Sequence, residues 1–101
     1  MNLSFKDIWL DYFIKRQYFV SEFVSGDELI LNGNECLNSK RQSILKFSKQ
    51  FINQIESMRL KNYKLKKAKV NFILYWLKED STQEVKIILP QLYFEKQNIE
   101  S

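Results

Sequence analysis

The sequence has no histidine, one cysteine, one proline and two glycines in 101 residues. Each scarcity closes off a chemistry. Without histidine there is no imidazole general base, no His-dependent catalytic triad and no His metal ligand. Cys36 alone can neither close an intramolecular disulfide nor build a cysteine zinc site, so a reducing, cytoplasmic setting is the simpler expectation. Gly26, Gly33 and Pro90 are the only strong backbone punctuators, too few for the glycine loops that cradle nucleotide phosphates. The longest strictly apolar run, Phe72 to Leu77, is far short of the roughly 20 residues that cross a bilayer as a helix. The opening Met-Asn-Leu-Ser-Phe-Lys-Asp carries two charges where a signal peptide would lead into its apolar core. No cofactor, metal, membrane or small-molecule substrate is therefore expected, and no catalytic motif is visible. Glu79, Asp80 and Glu84 bracket a turn, the ordinary place of solvated carboxylates.

What is present is a globular composition, 45% apolar, 15% aromatic and 28% charged, in a chain long enough for one core and one domain, 1–101. Phe5, Ile8, Trp9, Tyr12 and Phe13 recur at helical spacing, and Phe19, Val20, Phe23 and Val24 continue the stripe. They predict a first helix over about 4–24, opened by a Ser4–Asp7 capping pair and stopped at Ser25–Gly26. Residues 28–32 read as a short extended segment closed by Asn32–Gly33. Ser39 and Gln42 again resemble a capping box, and Ile44, Phe47, Phe51, Ile55 and Met58 advance by 3, 4, 4 and 3, which predicts a second helix over about 40–61.

Residues 65–78 and 84–94, dense in β-branched and aromatic side chains, read as the strands of a β-hairpin within 65–94, followed by a polar tail, 95–101. Pro90 marks an edge, a bulge or a strand end. Strict alternation places Ala68, Val70, Phe72, Leu74 and Trp76 on one face with Val85, Ile87 and Leu89, and Lys67, Lys69, Asn71, Ile73, Tyr75 and Leu77 on the other. The expected fold is α+β, two amphipathic helices packed on a small antiparallel sheet.

The net charge of +4 conceals a segregated layout. Residues 1–39 carry three basic and six acidic side chains, residues 40–78 eleven basic and only Glu56, and residues 79–101 two basic and five acidic. The cations crowd at Arg59, Lys61, Lys64, Lys66, Lys67 and Lys69, with Tyr63 and Tyr75 interleaved. A lysine-rich corner of this kind suits nucleic-acid backbone, because each phosphate it neutralises releases counterions, and the aromatics suit base stacking. With 13 lysines to 3 arginines, bidentate base readout is not expected. The first functional expectation is thus a small non-enzymatic accessory protein that binds nucleic-acid backbone through this corner with little sequence specificity. The same cations also suit an acidic protein surface, or the acidic flanks themselves folded back. The alternative is a protein-interaction module, such as a homodimeric assembly factor, chaperone or neutralising partner. It would use the apolar outer hairpin face of Ile73, Tyr75, Leu77 and Ile88, which is too apolar to leave free.

Overall fold

The computed structural model describes residues 1–77, 79–80 and 82–97. It is a mixed α and β chain built on one antiparallel sheet of five strands: β1 (Glu28–Asn32), β2 (Glu35–Leu37), β3 (Ser43–Lys46), β4 (Tyr63–Leu77) and β5 (Glu84–Lys96), in the order β3-β2-β1-β4-β5. Two helices accompany it, a single turn α1 (Gln17–Val20) and the three-turn α2 (Lys49–Leu60). The expected hairpin is present over 65–77 and 84–94 and runs two residues further at each end of its base, as β4 and β5, so that Glu95 and Lys96 are strand and not part of a polar tail; Lys78 and residues 98–101 of those expectations lie outside the described residues.

Both helix expectations were too long, and for an identifiable reason in each case. Ser4 and Asp7 do cap a turn, with the Asp7 carboxylate accepting from Ser4 N–H at 2.8 Å. Beyond it Ile8 is extended (φ −131°, ψ 161°) and forms a bridge with Phe47, while Trp9 N–H donates to Lys46 O at 3.0 Å. Pairing with β3 therefore breaks the stripe into two 3₁₀ turns, Phe5–Asp7 and Leu10–Arg16, ahead of α1. Phe13 is fully buried, but Phe5 and Trp9 are half exposed. In the second stripe, Asn38 Oδ1 accepts from both Lys40 N–H and Gln42 N–H, and Arg41 takes a φ of 62°. That Asx-type turn supplies locally what a helix start would have supplied, and Ser43–Lys46 emerges from it as a strand. The helix begins only at Ser48, whose side chain accepts from Phe51 N–H, and then buries Phe51 with Ile52 and Ile55 packed beside it.

Asn32–Gly33 does turn the chain, but it joins β1 to a strand that the sequence reading did not foresee. Gly33 (φ 59°) is the first of the two loop residues and the only one with positive φ, as a type II′ hairpin turn requires.

The N-terminal segment closes the curled sheet. Ile8 and Trp9 hold the β3 edge. Met1–Leu3 lies along the β5 edge, with Leu3 N–H donating to Pro90 O at 3.0 Å and Leu92 N–H to Met1 O at 2.8 Å. Further along that edge the Gln17 side chain acts as a strand surrogate: its Oε1 accepts from Lys86 N–H at 2.7 Å and its Nε2 donates to Lys86 O at 3.0 Å. Inside this wrap Val85, Ile87, Ile88, Leu89 and Leu92 are buried, together with Phe13, Val20, Ile44, Leu45, Phe47 and Phe51. Pro90 lies within β5, opposite Val70, where its missing N–H faces the strap rather than β4.

Candidate functional site

The hairpin carries both groups of residues that the sequence singled out, and its register decides which of them meet. Two bulges interrupt β4, between Leu65 and Lys67 and between Val70 and Phe72, while β5 runs without a break. Residues opposite one another share a face, so β5 serves as the ruler. Ala68 and Val70 lie opposite Leu92 and Pro90, on the side that also carries Ile73, Tyr75 and Leu77 opposite Ile88, Lys86 and Glu84. Lys67 and Lys69 lie opposite Tyr93 and Gln91, on the side that carries Phe72, Leu74 and Trp76 opposite Leu89, Ile87 and Val85. The expected alternation thus holds on either side of Asn71 and inverts across it, because one inserted residue exchanges the faces of everything beyond it.

This separates the predicted cationic site. Tyr75 is 65% exposed but lies on the opposite face from Lys67 and Lys69 and, eight residues along the strand from Lys67, about 26 Å away. Tyr63 is half-buried at the base of the hairpin. Three of the six cations are already matched: Arg59 with Glu56 in the same helix, Lys66 with Glu95 at 3.6 Å and Lys67 with Glu28 at 3.2 Å. The Arg59 hydrogen bond holds the exposed Glu56 carboxyl below its ordinary pKa. Glu28 and Glu95 come from the two acidic flanks, so in part those flanks do fold back on the basic centre. Lys61, Lys64 and Lys69 form no ion pair within 4.0 Å among the described residues, and Lys64, Lys67 and Lys69 share one face beside the exposed Tyr93.

Of the predicted apolar surface, Tyr75 and Leu77 stand exposed, Ile73 is partly buried against the core, and Ile88 is fully enclosed, which removes it from any outer surface. The bulge adds two residues that sequence parity had assigned to the core: Phe72, 58% exposed, and Leu74. Trp76 is half-buried, and a shallow cleft of about 390 Å³ separates it from Phe5, Trp9 and Leu10.

The backbone of this stretch is as distinctive as its side chains. Pro90 O and both backbone groups of Lys86 point away from β4, into the N-terminal strap and Gln17. Their opposite numbers must point away from β5. Val70 does so, donating to Asp27 O at 2.8 Å and accepting from Gly26 N–H at 2.7 Å. Ile73, Tyr75 and Leu77, opposite Ile88, Lys86 and Glu84, follow the same alternation. Pairing with β1 stops at Lys69, and beyond the loop contacts at Val70 and Asn71 the N–H and C=O groups of Ile73, Tyr75 and Leu77 have no partner among the described residues.

Other chemistry is sparse. No group of three or more His, Cys, Asp or Glu able to hold a metal ion occurs among the described residues. Among them too, no helix is long and apolar enough to cross a membrane. Cys36 is fully enclosed and its thiol pKa is pushed up from 9.0 to about 12, chiefly by burial and secondarily by Glu35. An open groove of about 360 Å³ between Tyr18–Phe23 and Asn38–Gln42 exposes polar atoms for the most part. No protein-family model, curated protein or solved structure matches this chain.

Proposed function

We propose that this protein is a non-enzymatic interaction module that pairs with another polypeptide along the outer edge of β4, in a reducing cytoplasmic setting. The observation that carries the reading is the coincidence, on one six-residue stretch without a charge, of unpartnered backbone groups and exposed Phe72, Tyr75 and Leu77. Natural sheets guard such edges with lysine, proline or a covering segment. Here β5 is covered and β4 is left open beyond Asn71. Main-chain hydrogen bonds along such an edge give affinity, and alternate side chains give selectivity.

The test is copurification of a tagged chain from its native host in two forms, wild type and Tyr75→Pro. Proline at this position removes only an N–H that points away from β5. Proteins recovered with the wild type and lost with Tyr75→Pro, an untagged copy of the chain included, support the reading; identical recovery with both forms overturns it.

A second reading rests on Lys64, Lys67 and Lys69 sharing a face with Tyr93, near Lys61: weak contact with nucleic-acid backbone. Titrating a labelled duplex and a labelled single strand at 50 and 200 mM salt checks it. Three unmatched lysines predict a log–log salt slope of about −2 to −3, abolished by Lys61→Glu, Lys64→Glu and Lys69→Glu together; binding without a salt slope removes the idea.

A further inference from the structure

The open edge is symmetric about one residue. Ile73 and Leu77 flank Tyr75 at two positions on either side, and these three are the residues whose backbone groups face outward. Laid antiparallel against itself with Tyr75 opposite Tyr75, the strand matches Ile73 with Leu77 of the other copy and Leu77 with Ile73, so that all six orphan groups are satisfied by six hydrogen bonds. A register centred on Leu74 or Ile73 leaves some of them unmatched or drives the strand into the Asn71–Ser25 contact. We infer that a second copy of this chain occupies the β4 edge, joining two five-stranded sheets across a two-fold axis at Tyr75. This rests on the edge-pairing reading above and adds the identity of the partner.

Side-chain chemistry agrees with the register. One face of the joined strands would bring Ile73 against Leu77 and Tyr75 against Tyr75, and the other would bring Leu74 against Trp76, apolar and aromatic pairs of the kind that stabilise sheets. Phe72–Leu77 contains no charge, so the strand meets itself without like-charge repulsion. A two-fold contact needs one self-complementary patch and closes after two copies. The exposed parts of Phe72, Leu74, Tyr75 and Leu77 amount to on the order of 400 Å² per copy. Doubled, that is about 800 Å², below the roughly 1,200 Å² of stable interfaces and in the range of weak, transient ones. The dimer is therefore a concentration-dependent one, with a dissociation constant on the order of micromolar.

Sedimentation equilibrium of the full chain from about 1 to 300 µM is the first measurement, with twice the 12.2 kDa chain mass expected at the upper end. Tyr75→Lys and Tyr75→Glu each place like charges face to face at the axis and should each be monomeric; an equimolar mixture of the two should recover the dimer, which a merely misfolded variant cannot do. Register is read separately by oxidising Tyr75→Cys. Cα atoms of a hydrogen-bonded antiparallel pair lie about 5.5 Å apart, within disulfide reach, so this variant should cross-link to itself. Ile73→Cys, about 13 Å from its own counterpart, should not. A wild type that stays monomeric throughout, or a mixture that stays monomeric, overturns the second copy as partner. The copurification result then separates the two ideas: a different protein lost with Tyr75→Pro leaves edge pairing standing, and no such loss removes both.

Discussion

Gln17 joins parts of the fold that are far apart in sequence. It satisfies both backbone groups of Lys86 and also donates to Phe13 O at 2.9 Å, tying the 3₁₀ turn to β5. Replacing it with leucine strands partly buried polar groups, for which about 1–3 kcal/mol is the usual cost. Urea titration of Gln17→Leu should show that loss with an unchanged slope. Nothing in the sequence marks Gln17, because its partner lies 69 positions away and its role depends on an edge that only the folded sheet creates. Cys36 was more legible: a lone cysteine in a chain without histidine to activate it is expected to be structural or incidental, and it is buried. Its thiol should resist iodoacetamide at pH 8 in the native protein and react once unfolded. Because its folded pKa is raised from 9.0 to about 12, the native state keeps a proton that the unfolded chain releases above pH 9. The contribution of Cys36 to stability is therefore full below pH 9 and declines as the pH rises towards 12. Wild type should lose more stability than Cys36→Ala between pH 8 and 10.5 in denaturant titrations.

Among the elements, the hairpin could be read from composition because β-branched and aromatic residues accumulate on both sides of a polar turn. The strands β2 and β3 could not, being three and four residues long and embedded in a stripe that also fits a helix. Ile44 and Phe47 keep helical spacing with Phe51, yet they reach the core from β3 and the segment after it. The start of α2 is sharper than periodicity suggested, since Ser48 both caps it and donates from its hydroxyl to Lys6 O at 2.8 Å. Ser48→Ala should cost about 1 kcal/mol, measurable as a lowered urea midpoint. The Asn71 bulge is the element-scale feature with the widest effect. It leaves Ala68 and Val70 facing the core at the base and places Phe72 and Leu74 on the exposed surface near the tip. Deleting Asn71 removes the inserted residue and leaves Val70 and Phe72 opposite Pro90 and Leu89 with their faces unchanged, so a cooperative melt by circular dichroism is expected, with a loss of about 1 kcal/mol from the Ser25 hydroxyl bond to Asn71 O. An inserted residue of this kind has no local signature, which is why the alternation read from the sequence was correct on each side and wrong across it.

At the scale of the molecule, the segregated charge proved partly self-directed, with Glu28 and Glu95 returning to Lys67 and Lys66. Exposed ion pairs of this sort contribute little to stability, about 0–1 kcal/mol each, but they lower the field that a phosphate backbone would meet. The apolar hairpin surface, by contrast, changed its members: Phe72 and Leu74 join Tyr75 and Leu77, while Ile88 is withdrawn into the core. The β4–β5 hairpin has two outer edges, and they are treated differently: that of β4 is open near the tip, while that of β5 is covered by Met1–Leu3 through hydrogen bonds between residues some ninety positions apart. With one such open edge among the described residues, pairing stops at two copies. If the strap is lifted, β5 offers a second edge at the same time, and a unit with two sticky edges adds copies at both ends without closing. The three residues of the strap are in that sense a chain terminator for assembly, and removing them should turn a discrete dimer into filaments visible by electron microscopy.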